Sequence, residues 1–165
     1  MIRIGLLSDT HGSLHPRVFE FFKDCDEIWH AGDIGSMDVA DKLSKFKSLR
    51  AVYGNIDGIA IRQSFPEMLI FTVESVKVLM THIGGYPGHY QPGIRDLLLK
   101  ERPKIFICGH SHILKVKYDE KYQVLHINPG AAGNSGLHKS ITMVRFVIDR
   151  DQIKDLEVLD IPRKS

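Results

Sequence analysis

Ile2-Arg3-Ile4-Gly5-Leu6-Leu7-Ser8-Asp9-Thr10-His11-Gly12 begins as an apolar run and stops at a polar turn closed by glycine. A short run of leucine and β-branched residues ending at turn residues reads as a buried strand over Ile2–Leu7. The pattern then repeats. Pro16 to Asp24 carries Val18, Phe19 and Phe22 at helical spacing, and Glu27 to His30 reads as a second strand. Ser36 to Phe46 predicts a helix with Val39, Ala40, Leu43 and Phe46 on one face, and Leu49 to Tyr53 a third strand. Strands alternating with helices in this way are the βαβαβ signature of an α/β layered fold.

Beyond Pro66 the period changes. Met68 to Val73 and Val76 to Met80 are apolar runs separated by Glu74 and Ser75, which predicts a hairpin. A glycine- and proline-rich loop covers 84–93, a helix is expected from Ile94 to Arg102, stopped by Pro103, and Ile105 to Cys108 is a short buried strand. Strands are then expected at Leu114–Tyr118, Gln123–Ile127, Ile141–Ile148 and Ile153–Leu159. The result is a β-rich core flanked by about three helices. It could be one open sheet or two packed face to face, and the strand-heavy second half favours two.

The 165 residues, 43% hydrophobic and 25% charged, fit a single domain spanning 1–165. With 22 basic against 20 acidic residues there is no electrostatic case for a stable nucleic-acid partner. The apolar start is interrupted at Ser8 and Asp9, too soon for a signal peptide or a membrane span, so the expectation is a cytoplasmic protein with no membrane association. Cys25 and Cys108 are too few and too distant for a disulfide framework or a cysteine-rich zinc module. The unusual count is nine histidines.

Chemistry-bearing residues follow the strands. Asp9 and His11 come after the first, Asp33 after the second, Asn55 and Asp57 after the third, His82 after the hairpin, and His110 and His112 after Ile105–Cys108. Strand carboxyl ends form the ligand crevice in α/β sheets, so five segments are expected to meet at one mouth. Asp9-x-His11 and His110-x-His112 would each point two donors the same way in extended backbone. Two carboxylates, one amide and four imidazoles with no thiolate suit manganese, iron, zinc or magnesium. Seven donors exceed a single catalytic zinc site and fit two metals sharing a carboxylate. Singly, each Asp would read as a turn residue and each His as structural. Together, five strand ends drawing on one metal-ligand alphabet are poorly explained that way.

The ordered set Asp9-x-His11, Gly32-Asp33, Gly54-Asn55-x-Asp57, Thr81-His82 and Gly109-His110-Ser111-His112 closely resembles the calcineurin-like metallophosphoesterase superfamily. The short length and the Asn128-Pro129-Gly130 turn resemble its small single-domain microbial phosphodiesterase branch. The resemblance implies the metallo-dependent phosphatase fold, a four-layer α-β-β-α sandwich of two mixed sheets with flanking helices. It implies one metal on Asp9, His11, Asp33 and His112 and a second on Asp33, Asn55, His82 and His110, with Asp33 bridging. Family members commonly use manganese, iron, zinc or nickel, and manganese heads the expectation here.

The reaction so implied is hydrolysis of a small phosphate ester, a diester before a monoester, by a hydroxide shared between two ions attacking phosphorus in line. Asp33 would fix the metal separation, and neutral Asn55 would coordinate without cancelling positive charge. Larger phosphatases of the superfamily carry a histidine after the motif asparagine that assists the leaving group, whereas this chain has Ile56. A metal-bound water, His30 and His89 are candidates for that proton, and His30 could instead orient a ligand or end a strand. Asp57 could hold a ligand by hydrogen bonding or serve a turn. Ile83-Gly84-Gly85-Tyr86 replaces the shorter His-Gly turn expected after His82. His15, His126 and His138 read as a helix start, a strand face and an exposed turn, and Gly130 to Gly136 could offer backbone donors to a phosphate. The competing function is a non-catalytic interaction scaffold, as in a eukaryotic retromer subunit that shares the fold and has lost ligand histidines. A nuclease would need DNA-binding segments for which the chain has no room. A homodimer or larger homo-oligomer is compatible with the apolar strands.

Overall fold

The structure, a computed structural model, describes residues 1–163. Its first third forms β1 (Ile2–Leu7), α1 (Arg17–Phe21), β2 (Glu27–His30), α2 (Met37–Phe46) and β3 (Ser48–Ala51). A short α3 (Ile59–Ser64) precedes the hairpin β4 (Met68–Val73) and β5 (Val76–Thr81). Then come a small ribbon, β6 (Gly85–Tyr86) with β7 (His89–Tyr90), and helix α4 (Ile94–Glu101). Strands complete the chain: β8 (Ile105–Ile107), β9 (Leu114–Asp119), β10 (Val124–Pro129), β11 (Ser140–Asp149) and β12 (Gln152–Pro162).

Two five-stranded sheets result, in the orders β12-β11-β1-β2-β3 and β4-β5-β8-β10-β9. In the first, β1, β2 and β3 are parallel while β11 runs antiparallel to β1. In the second, β5, β8 and β10 are parallel, and β4 and β9 close the edges antiparallel. Both sheets are therefore mixed. Side-chain alternation explains why they stack: Ile105 and Ile107 enter the core between the sheets, and Phe106 between them faces α4.

Ile4, Leu6, Trp29 and Val52 of the first sheet meet Val78, Met80, Ile107 and Ile127 of the second in that central core. A second cluster packs Val18, Phe22, Val39 and Leu43 on the outer face of the first sheet. A third packs Ile94 and Leu98 of α4 against Leu79 and Phe106. Three apolar interfaces between four layers make the α-β-β-α sandwich, and each fully buried aliphatic or aromatic side chain contributes about 1.5–3 kcal/mol. The open single sheet is thereby excluded.

Two elements were not expected. Helix α3 has six residues and one buried apolar side chain, Ile61, too little for a period to register. The β6–β7 ribbon lies inside the glycine- and proline-rich stretch expected to be a loop. Among the described residues no helix is long and apolar enough to cross a membrane, and Cys25 and Cys108 are both buried and free.

Candidate metal centre

The parallel strands β1, β2 and β3 of one sheet and β5 and β8 of the other deliver their following residues to one edge of the sandwich. Two groups of donors form there. Asp9, His11 and His112 present ligand atoms all within 4.8 Å of one another, and so do Asp33, His82 and His110. The groups adjoin: Asp33 Oδ2 lies 3.4 Å from His11 Nε2 and 3.2 Å from His82 Nε2. Asp9 Oδ1 lies 3.2 Å from His112 Nε2, 3.7 Å from His11 Nε2 and 3.8 Å from His82 Nε2. Asn55 reaches the cluster through His110, whose Nδ1 is 3.1 Å from its Oδ1.

Backbone conformation makes this convergence possible. Asp9 (φ 54°), His11 (48°), Asp33 (55°), His110 (71°) and His112 (63°) all lie in the left-handed region. The extended backbone expected for the two D/H-x-H pairs is therefore not what aligns them; each strand breaks into a tight turn at the donor. Left-handed backbone costs a non-glycine residue about 1–2 kcal/mol, and such strain gathers at functional sites. Backbone bonds hold the turns, including Asp9 N–H to Gly32 O at 2.9 Å, His11 N–H to Asp33 O at 3.0 Å and Gly109 N–H to His82 O at 2.9 Å. Two glycines permit the close approach. Gly32 has φ 103°, and a Cβ there would meet the His82 ring at 2.7 Å, while a Cβ on Gly54 would collide with the Asp33 carboxylate.

Each donor is aimed from behind. Asp9 Oδ2 accepts from Ser8 Oγ at 2.6 Å and from His110 N–H at 3.1 Å, which leaves Oδ1 for the cluster. His82 Nδ1 donates to Ala31 O at 2.8 Å, so the Nε2 lone pair points inward. His138 Nε2 donates to Gly133 O at 2.7 Å, and its Nδ1 stands 3.2 Å from His112 Nδ1. Asp33 Oδ1 accepts from Ile56 N–H at 3.1 Å.

Burial alone would raise the Asp9 and Asp33 carboxyls, but hydrogen bonds and the neighbouring His112 and His82 outweigh it and hold both below the usual range. Burial would lower His82, yet the close carboxylates of Asp33 and Asp9 raise it.

Asp9 Oδ1, His11 Nε2 and His82 Nε2 are buried with no hydrogen-bond partner among the described residues. Buried polar atoms left so in one place call for a ligand. Ligands about 2.1 Å from a common ion lie roughly 3–3.5 Å apart; the Asp33–His11, Asp33–His82 and Asp9–His112 pairs, at 3.4, 3.2 and 3.2 Å, fall in that range, and the Asp9–His11 and Asp9–His82 pairs, at 3.7 and 3.8 Å, lie just beyond it. The oxygen and nitrogen set without thiolate fits divalent ions such as manganese, iron or zinc.

The remaining residues divide. Asp57, almost wholly buried, accepts from the backbone N–H groups of Ile34 (3.1 Å), Gly35 (2.8 Å) and Gly54 (2.8 Å), tying the Asp33 and Asn55 turns together. Arg62 of α3 braces the same turn, donating to Asp57 O at 2.6 Å and Asn55 O at 3.3 Å. His30 is corrected as a proton donor to the leaving group: it is fully buried, accepts from Gly32 N–H at Nδ1 (3.1 Å) and spends its Nε2 on Thr10 Oγ1 (3.0 Å). It positions the first two turns instead. His89 stands against Tyr86 in the ribbon, ring centroids 4.9 Å apart. His138, read as an exposed turn, is the support of His112; nothing local marks it, because its partner is 26 residues away. Ser8, whose Oγ aims Asp9, adjoins it in sequence but belongs to no ligand alphabet that would single it out. Asn128 does more than open its turn: its Nδ2 donates to Gly109 O and Ser111 Oγ, both at 3.0 Å.

The profile of the calcineurin-like phosphoesterase superfamily domain matches residues 2–151. A probable metallophosphoesterase of Methanothermobacter thermautotrophicus is 32% identical over 136 residues, covering 78% of this chain and 76% of the relative. A solved archaeal phosphodiesterase superposes with TM-score 0.75 at 23% identity, covering 96% of this chain and all of that one. Vps29 of Chaetomium thermophilum superposes with TM-score 0.76 at 13% identity, covering 99% of this chain and all of that one. At such identities these two likenesses are of fold.

Proposed function

The chain belongs to the calcineurin-like phosphoesterase superfamily, and from that membership we propose that it hydrolyses phosphodiesters, in preference to monoesters, with two divalent metal ions, manganese first among them. The reading rests on Asp33, whose Oδ2 lies 3.4 Å from His11 Nε2 and 3.2 Å from His82 Nε2, one imidazole from each donor group. Asp9, His11 and His112 would hold one ion, His82, His110 and Asn55 the other, and Asp33 both. When bound, the ions supply a water-derived nucleophile at neutral pH and positive charge facing the phosphoryl oxygens.

The protein's own part is to keep that constellation rigid. Ser8, Ala31, Asp57 and His138 fix the donors, so little reorganisation remains for the reaction itself. Around the donors stand exposed Ile56, Ile83, Ile113 and Leu137, each next in sequence to Asn55, His82, His112 and His138 respectively. An apolar rim favours a phosphate carrying two organic groups over a dianionic monoester. No proton can come from Ile56, and His30 is spent on Thr10, so esters with good leaving groups should turn over best.

The test is reconstitution. Metal-stripped protein should regain hydrolysis of bis(p-nitrophenyl) phosphate on adding manganese and bind two ions per chain, and Asp33→Asn should lose both properties. Absence of turnover with every divalent ion tried would favour the interaction scaffold.

A further inference from the structure

One buried histidine plays no part in the metal centre. His126 lies on the outer face of the second sheet, fully buried, with neither ring nitrogen partnered among the described residues. Such a ring always carries at least one N–H, and an unmet buried donor or acceptor costs about 1–3 kcal/mol. His126 lines a pocket of about 260 Å³ together with Gly85, Tyr86, Ser111, Ile113 and Lys115. The pocket opens beside the metal-centre turn, since Ser111 sits between His110 and His112.

Its polar groups are unspent. Ser111 Oγ accepts from Asn128 Nδ2 (3.0 Å) and Ile113 N–H (3.2 Å) and, among the described residues, donates to nothing. Lys115 Nζ stands 4.5 Å from the centroid of the Tyr86 ring and forms no salt bridge among the described residues. Burial and the Lys115 charge push the His126 pKa down to about 4, so the imidazole is neutral and offers both a donor and a lone pair. Tyr86 and Ile113 supply exposed apolar walls.

Taking the hydrolysis of phosphodiesters as given, we infer that this pocket between the β6–β7 ribbon and strands β9 and β10 is a subsite for the base of a nucleoside ester. A phosphate or other anion would accept from Lys115, Ser111 and the imidazole N–H but has no donor for the ring's other nitrogen, which would stay unpartnered. A nucleobase brings donors and acceptors along one edge and flat apolar faces for Tyr86 and Ile113. Ser111 couples the two places, one side chain at the pocket and both neighbours at the metals.

Binding can be read without hydrolysis. In metal-free protein with ¹⁵N-labelled histidine, thymidine should shift the His126 imidazole resonances saturably, and Lys115→Met should weaken that binding at least threefold. With manganese, His126→Phe should narrow the KM advantage of thymidine 5′-(p-nitrophenyl phosphate) over methyl p-nitrophenyl phosphate about tenfold, with kcat for the thymidine ester changing less than twofold. No response of His126 to thymidine, or a response to inorganic phosphate alone, overturns the subsite even if both esters are hydrolysed. Thymidine binding without hydrolysis of either ester would overturn the phosphodiesterase reading and with it the role as a substrate subsite.

Discussion

His138 stands behind His112, their Nδ1 atoms 3.2 Å apart and their rings nearly perpendicular at 77°. Because His138 Nε2 donates to Gly133 O, its Nδ1 is the acceptor, and His112 must donate from Nδ1. That leaves the His112 Nε2 lone pair directed at Asp9 and the first donor group. Burial lowers the His138 pKa, which keeps the ring in the neutral form this chain of bonds needs.

Replacing His138 by Ala should therefore weaken metal binding at the Asp9–His11–His112 group about 10- to 100-fold, the usual effect of removing a partner behind a ligand. Equilibrium dialysis against manganese should show one weakened ion and one retained. His138→Gln, which keeps a side-chain acceptor, should restore part of the affinity. Equal loss of both ions would show that His138 supports the fold and not His112.

Asp57 ties the turns that carry Asp33 and Asn55. Its two oxygens accept from three backbone N–H groups, two of them wholly buried. Asp57→Ala strands those donors, and hydrogen bonds to a charged acceptor contribute about 1.5–3 kcal/mol each. The expected loss of stability is about 3 kcal/mol or more, seen as a lower urea midpoint, with weaker binding of both ions. Unchanged metal affinity in a destabilised variant would confine Asp57 to a structural turn.

How much of this could be read in the sequence depends on how local each cause is. The strands were legible because apolar alternation is a property of consecutive residues, and the donors because each follows its strand directly. The reason the donors align was not: Asp9, His11, His110 and His112 turn left-handed, a conformation set by bonds to Gly32, Asp33 and Asp9 from other segments. His138 and Asp57 act on residues 26 and about 20 positions away, and no spacing rule links them. Helix α3 escaped because its six residues bury a single apolar side chain, Ile61, too few for a helical period to register.

Acid sensitivity should come partly from His30 and His126. Burial first of all pushes both pKa values down to about 4, whereas an unfolded histidine titrates near 6.5. Between these values the unfolded chain binds more protons, so stability rises with pH. The contribution is complete above about 6.5 and lost as pH falls toward 4, about 3 kcal/mol for each ring. His82, raised in the folded metal-free chain, acts with the opposite sign and offsets part of this. Urea midpoints of metal-free protein from pH 7 to 4.5 should therefore fall, and His126→Phe should flatten the fall while leaving the His82 and His30 contributions in place. Parallel profiles for the two proteins would mean that His126 is protonated without penalty in the fold.

Ile56 follows Asn55 directly and carries no group that could protonate a leaving oxygen. Its N–H is fixed on Asp33 Oδ1 at 3.1 Å, while its side chain is 47% exposed at the rim of the donor groups. The backbone anchor does not depend on the side chain, so Ile56→His should fold and bind metal as before. A general acid acts most where the leaving group is poor, by up to about 100-fold. Across a series of aryl and alkyl esters of one phosphate, the variant should flatten the dependence of log kcat/KM on leaving-group pKa, raising the alkyl end and leaving the nitrophenyl end nearly unchanged. The gain should disappear above the pKa of the introduced imidazole, since only its protonated form donates. A uniform change across the series would mean that the new ring alters binding and does not reach the leaving oxygen.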